Sequence, residues 1–272
     1  MDTLLLAFKI TNWCNLTCNN CRGRSSVSCT PQLMDINLIA KYISEFKKLP
    51  YNVIESVTLR GGEATAPYSL GDYEYIPNCL DVIRGNDMIP VLQTNGMWGC
   101  NNILRKRILG DLYNVWEKYK SKAPVLEISL SGFYDNISSV AKILTEFGYN
   151  QKYSYSIETW ITGNEISEKS LDAQRELLVR MCRYGLRFKA CDNGVYFISN
   201  ELNNIIIFNY DFSPLVPIEP KAVPVEVGCP WVHKDYLEID NVGNATLNGE
   251  YRTQIQNRPL ATVVAELMAR TK

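Results

Sequence analysis

Three cysteines within eight residues, Cys14-Asn-Leu-Thr-Cys18-Asn-Asn-Cys21, constrain this chain more than any other stretch. They follow an apolar run, Leu4 to Ile10, and precede a polar loop, Arg22 to Gln32. Thiolates spaced this way can converge on one metal centre from a single loop, and they leave one coordination position open. A structural zinc site takes four closed ligands, so the triplet is incomplete for that purpose. An iron–sulfur cluster that must bind a further ligand at one iron requires the open position.

Strand-like and helix-like stretches alternate from residue 1 to 191. Leu4–Ile10 reads as a strand. A helix then starts at an Asp35 cap, with Ile36, Ile39, Ala40, Ile43 and Phe46 on one face, and ends before Pro50. Strands are expected at Val53–Leu59, Ile89–Thr94, Val125–Ser131, Tyr153–Ile161 and Leu186–Cys191. Helices are expected between them at Tyr73–Arg84, Asn102–Lys120, Asn136–Phe147 and Glu168–Tyr184. Six such steps predict an α/β fold with a mostly parallel sheet and right-handed crossovers.

Side-chain alternation on the last three strands adds a functional hint. One face carries Glu127, Ser129 and Ser131, then Ser154, Ser156, Glu158 and Trp160, then Arg187, Lys189 and Cys191. The other carries Leu126, Ile128, Leu130, Ile157, Ile161, Leu186, Phe188 and Ala190. A small closed barrel fills its inside with branched apolar side chains. A polar inner face therefore implies a splayed barrel around a large polar ligand, or else a sheet with one solvated face.

The second strand ends in Arg60-Gly61-Gly62-Glu63. Glycines let a backbone approach a ligand closely, and a carboxylate beside them can receive an ammonium group. A CxxxCxxC loop after the first strand and a Gly-Gly-Glu loop after the second resemble the radical S-adenosylmethionine (SAM) enzymes. That resemblance implies a partial (β/α)6 TIM-like barrel over residues 1–191. It implies a 4Fe–4S cluster on Cys14, Cys18 and Cys21, with SAM chelating the fourth iron. It places Gly61, Gly62 and Glu63 at the SAM amino group. Thr94-Asn95-Gly96 and Ser129-Leu130-Ser131-Gly132 match weaker family signals at the third and fourth strand ends, which makes Asn95, Ser129 and Ser131 further SAM contacts. Asn20 stands where the family usually has an aromatic residue, and Ser131 where it commonly has aspartate. Glu158, Trp160 and Lys189 are expected at cofactor or substrate from strand parity alone.

Residues 192–272 read as a separate extension. A hairpin at Gly194–Phe208 and a proline-spaced connector precede Cys229-Pro-Trp-Val-His233, strands at Tyr236–Ile239 and Ala245–Leu247, and a helix from about Pro259 to Arg270. This resembles the auxiliary-cluster extension of the SPASM and twitch subfamilies, a cysteine, a hairpin, a glycine and a second cysteine. Here Cys229 and Gly243 are kept, but Asn248 stands in the second cysteine's place. Cys182, Cys191 and Cys229, with His233 or Asn248 as a fourth ligand, are candidates for a second cluster. Cys182 shares a helical face with Leu171, Leu178 and Met181, which reads as a buried apolar cysteine. Loss of the auxiliary cluster is the favoured reading. Cys191, at the end of the sixth strand on the side of Lys189, reads first as a structurally buried cysteine, and it is also the best candidate for a substrate-side thiol, since radical enzymes that epimerise peptides use a cysteine to return a hydrogen atom. Cys100 is the second, and Cys29 and Cys79 read as bystanders.

Composition narrows the setting. With 46% hydrophobic and 21% charged residues the chain can bury a real core. A formal net charge of −1 gives no pull toward a nucleic acid polymer or an anionic membrane. The start carries no basic region, no run reaches membrane-spanning length, and nine cysteines cannot all pair internally. A reduced, cytoplasmic setting follows as an expectation. The expected function is reductive cleavage of SAM followed by hydrogen-atom abstraction from a substrate. The substrate is expected to be a peptide undergoing epimerisation, crosslinking or oxidation, with an electron donor such as flavodoxin or ferredoxin. A small molecule such as a sugar or nucleoside is the alternative enzyme substrate. A non-catalytic iron–sulfur or zinc module is the alternative class.

Overall fold

The computed structural model describes residues 3–18, 21, 25–119, 124–129, 135–149, 156–161, 175–177, 179–180, 182–183, 187–190, 196–199, 205–210, 235–249, 251–255 and 257–270. At 148–149, 156–161, 187–190, 196–199 and 205–210 only the backbone is described. The fold is mixed α/β, and the chain divides into two compact units. One is Met1–Leu92 together with Cys229–Lys272, and the other is Gln93–Gly228.

In the first unit, strand β1 (Thr3–Lys9) is followed by helix α1 (Ile36–Phe46), β2 (Asn52–Arg60), a short α2 (Ala66–Ser69) and α3 (Tyr75–Gly85). Strand β3 (Ile89–Thr94) begins in this unit and ends in the other. Asp35 caps α1 by accepting the Asn37 amide at 2.9 Å, as its sequence position predicts. Ile39, Tyr42, Ile43 and Phe46 are buried, one face of a 3.6-residue period.

The C-terminal segment returns to this unit as β9 (Asp235–Asp240), β10 (Asn244–Leu247), β11 (Tyr251–Gln254) and a closing helix, α6 (Leu260–Arg270). The strand order is β11-β10-β9-β1-β2-β3. Strands β9, β1, β2 and β3 are mutually parallel at each pairing, and β10 and β11 add antiparallel. Register sorts the two faces. Val57, Leu6, Leu237 and Leu247 form one apolar row, and Leu59, Phe8, Ile239 and Ala245 the next. All eight are buried, and the seven larger than alanine each contribute about 2 kcal/mol of apolar transfer. The opposite face carries Thr58, Ala7, Glu238 and Thr246 in one row and Arg60, Lys9 and Asp240 in another. Helix α6 buries Leu260, Val263, Val264, Leu267 and Met268, and Glu45 of α1 accepts its first amide at 2.9 Å.

The second unit holds a 3-10 turn (Met97–Cys100), α4 (Asn102–Tyr119), β4 (Val125–Ser129) and α5 (Ile137–Tyr149). It continues with β5 (Ser156–Ile161), β6 (Arg187–Ala190), β7 (Tyr196–Ser199) and β8 (Ile205–Tyr210). Its order is β4-β5-β8-β7-β6. One element differs from the sequence expectation. The place beside β5 is taken in parallel by β8, while β6 pairs antiparallel with β7 at the far end. A chain that turns back through tight connections forms an antiparallel meander, whereas a parallel neighbour needs a long crossover. Residues 175–177, 179–180 and 182–183 are helical. Cys182 is exposed there, a correction to its assignment as a buried apolar cysteine. Among the described residues of that stretch the buried one is Leu177, five positions away and so roughly on the other side of the helix. Among the described residues no helix is long and apolar enough to cross a membrane.

Candidate functional site

The loop after β1 and the loop after β2 are hydrogen-bonded to each other through their backbones. Ile10 N–H donates to Arg60 C=O at 2.8 Å, Gly62 N–H to Thr11 C=O at 2.9 Å, and Glu63 N–H to Trp13 C=O at 2.9 Å. The ladder between β1 and β2 thus continues past both strand ends, up to the residue before Cys14. The fit leaves no room for a side chain on either glycine. A Cβ on Gly61 would stand 2.6 Å from the Thr11 carbonyl oxygen, and one on Gly62 would stand 2.2 Å from that of Trp13. The two glycines are here because backbone packs against backbone.

The cysteine loop folds back on itself beyond that point. Cys14 N–H and Cys29 N–H both donate to the Ser26 carbonyl, at 3.3 and 3.2 Å, and Trp13 bridges to Ser26. Cys14 is 8% exposed, while Cys18, Cys21 and Cys29 are half-buried. Burial pushes the Cys14 thiol up to about 11, and the negative charges of Glu63, Cys18 and Cys21 push the same way. The Leu16 amide, 3.4 Å from Cys14 Sγ, opposes them. Among the described residues no three Cys, His, Asp or Glu side chains surround the position of one metal ion. Each cysteine of a four-iron cluster ligates a different iron, so the thiolates stand around a body rather than a point. The donor set, three thiols and an N–H aimed at sulfur, fits that group.

Glu63 is 4% exposed, and its orientation is fixed. Its Oε1 accepts from Thr65 N–H at 2.9 Å and Thr65 Oγ1 at 2.7 Å. Thr65 is a residue that the sequence reading missed. The signal was there, since a threonine two positions after an acidic residue can close an Asx-like turn.

In the second unit, Asn95 and Ser129 are brought together by a residue that no motif pointed to. Asn136 Nδ2 donates to the Asn95 carbonyl at 2.6 Å and to the Ser129 carbonyl at 2.8 Å. It is 1% exposed and ties the ends of β3 and β4. Thr94 Oγ1 accepts from Gly96 N–H and Trp98 Nε1, and Asn95 Oδ1 accepts from Met97 N–H, so Thr94-Asn95-Gly96 is a tightly held turn. Glu127 is buried and accepts from Gln93 Nε2 at 3.2 Å. Glu127 and Glu158 are register partners on β4 and β5.

Other expected residues fall elsewhere. Lys189 lies on β6, the last strand of the meander. The side chains of Glu158, Trp160 and Lys189 lie outside the described residues, as do Asn20, Ser131, Cys191, Cys229 and His233. Cys100 is exposed, with Ser139 Oγ at 3.1 Å and Lys142 Nζ at 3.7 Å from its sulfur. Cys79 is buried. Asn248, in the place of the extension's second cysteine, takes a left-handed turn conformation (φ 54°). Its Oδ1 accepts the Tyr236 amide at 2.8 Å and its Nδ2 donates to Asp235 at 2.9 Å. It closes a turn.

No protein-family model matches the chain, and no curated protein does. Among solved structures it is similar to methylornithine synthase (PylB), at 14% identity and a TM-score of 0.43. The match covers 66% of this chain and spans about half, 51%, of that chain. The functional reading rests on the residues of this chain.

Proposed function

We propose that this protein is a radical SAM enzyme that holds one 4Fe–4S cluster on Cys14, Cys18 and Cys21. The observation that supports it is the backbone interlock of the two loops, which sets the buried Glu63 carboxylate against the cysteine loop. When bound, the cluster and SAM supply a reductively generated carbon radical that takes a hydrogen atom from the substrate. The chain's own tasks are placement and exclusion of water. Glu63 is aimed by Thr65, and a carboxylate held in a water-poor setting is a strong partner for an ammonium group such as that of SAM. The interlock sets the carboxylate loop beside the cysteine loop through backbone hydrogen bonds.

The reading carries one cluster rather than two, which is supported by Asn248 standing in its turn, bonded to the Tyr236 amide, where a second cysteine would be needed. The substrate we assign is a peptide, with Cys191 returning a hydrogen atom and a one-electron donor such as flavodoxin or ferredoxin feeding the cluster. The test is SAM cleavage by the anaerobically reconstituted chain with dithionite, read as 5′-deoxyadenosine. Product formation that depends on the cysteine triplet supports the reading. A colourless, zinc-loaded chain indifferent to SAM sinks it.

A further inference from the structure

Arg60 is the last residue of β2, paired with Lys9 at the end of β1, so it stands where the two loops leave the sheet side by side. Its carbonyl accepts the Ile10 amide, and the next residue begins Gly61-Gly62-Glu63. Its side chain is gripped by the C-terminal segment. Arg60 Nη1 donates to the Tyr236 hydroxyl, and Arg60 Nε stands 3.1 Å from Glu238 Oε2. The Tyr236 hydroxyl in turn donates to that same Glu238 oxygen at 3.3 Å, closing a triangle. The guanidinium also lies 5.1 Å from the centre of the Tyr236 ring.

Register explains how the three meet. Strand β9 pairs with β1 so that Tyr236 and Glu238 fall beside Leu5 and Ala7, and Arg60 falls beside Lys9, all on one sheet face. The backbone ladder already attaches β9 to β1, so the triangle is not needed for that. The Arg60 side chain is 38% exposed and that of Glu238 19%. A pair so placed adds little stability but fixes geometry.

We infer that Tyr236 and Glu238 are positioning residues that act through Arg60 to hold the Gly61–Glu63 loop against Thr11–Cys14. For the placement of SAM by Glu63, this inference rests on the radical SAM reading. On this account the C-terminal segment serves the second loop directly, from a strand whose resemblance pointed to an auxiliary cluster.

The experiment has two arms, each on the full chain. Hydrogen exchange on the chain without cofactor compares Tyr236→Phe, Glu238→Gln and a control, Arg252→Gln. The control breaks the 3.1 Å pair from Arg252 to Asp240 on the same strand without touching Arg60. The expected result is exchange at residues 60–65 faster by on the order of tenfold in the first two variants, with β10 and β11 unchanged and the control like wild type. In an Arg60→Met background neither substitution adds a further effect. Wild-type exchange at 60–65, or acceleration spread evenly over β9, β10 and β11, overturns the inference. The second arm measures SAM affinity of the reconstituted chain. A weakening by a similar factor, at unchanged iron content, supports the extension to Glu63. A wild-type chain that does not bind SAM contradicts the functional reading, while exchange still decides the clamp.

Discussion

The amide of Glu63 donates to the carbonyl of Trp13 at 2.9 Å, which docks the carboxylate loop one residue from the first cysteine. Gly62 sits inside that contact, where a Cβ would meet the Trp13 carbonyl at 2.2 Å and Ser25 Cβ at 2.8 Å. Backbone cannot give way as a flexible side chain can. Gly62→Ala is expected to cost on the order of 2–4 kcal/mol. Gly85, at the end of α3, has open space around its Cβ position, and Gly85→Ala is expected to gain up to about 1 kcal/mol. Urea unfolding of the two variants beside wild type checks the contrast.

Glu63→Gln keeps the shape of the side chain and an oxygen for Thr65, and removes the charge. The folded chain and its iron content are expected to be unchanged, with SAM binding weaker by roughly tenfold or more. Calorimetric titration of the reconstituted variant measures it. Loss of iron in parallel with SAM would assign Glu63 to the cluster's stability instead.

Asn136 holds two strand-end carbonyls with one amide group. Asn136→Asp replaces the donor by an acceptor that faces both carbonyls, and Asn136→Leu removes both bonds at a buried place. Each is expected to destabilise the second unit by about 2–4 kcal/mol. Thermal melting reads the loss, with protection at Asn95 and Ser129 by hydrogen exchange placing it.

Alkaline pH should weaken the first unit through three groups, the buried Cys79 and Tyr75 and the half-buried Tyr236. Burial pushes the Cys79 thiol up to about 12, and the Tyr75 and Tyr236 phenols well above their usual range. The phenol of Tyr75 donates to the Met34 carbonyl at 2.6 Å, a bond the phenolate cannot make. In each case the unfolded chain loses its proton first. Stability is therefore full below the ordinary values, about 9 for thiol and 10 for phenol, and falls as pH rises above them. Melting temperature against pH from 8 to about 11 checks the direction. Tyr75→Phe and Cys79→Ala should flatten the fall.

Much of the fold was legible because its signals are local. The Asp35 cap, the apolar period of α1 and the apolar runs of β1 and β2 each lie within one segment. The cysteine triplet and the Gly-Gly-Glu loop were legible for the same reason. What joins them was not. The seating of β9 along β1 brings residues 235–240 beside residues 4–9, a pairing that no local pattern encodes. The grip of Tyr236 and Glu238 on Arg60 follows from that pairing and was invisible with it. Asn136 was read only as the first residue of a helix, since its second task depends on two strand ends meeting. Cys182 was misread because an apolar period along one segment does not say which part of the helix the rest of the fold covers; Leu177 is buried and Cys182 is exposed.

The central claim is that Cys14, Cys18 and Cys21 hold one iron–sulfur cluster beside Glu63. Anaerobic reconstitution with iron and sulfide, followed by metal and sulfide analysis of wild type and the triple Cys→Ala variant, tests it most directly. The account predicts about four irons per chain in the wild type and almost none in the variant. About eight irons would restore an auxiliary cluster to the C-terminal segment. Stoichiometric zinc in place of iron, or iron retained without the three cysteines, would contradict the account.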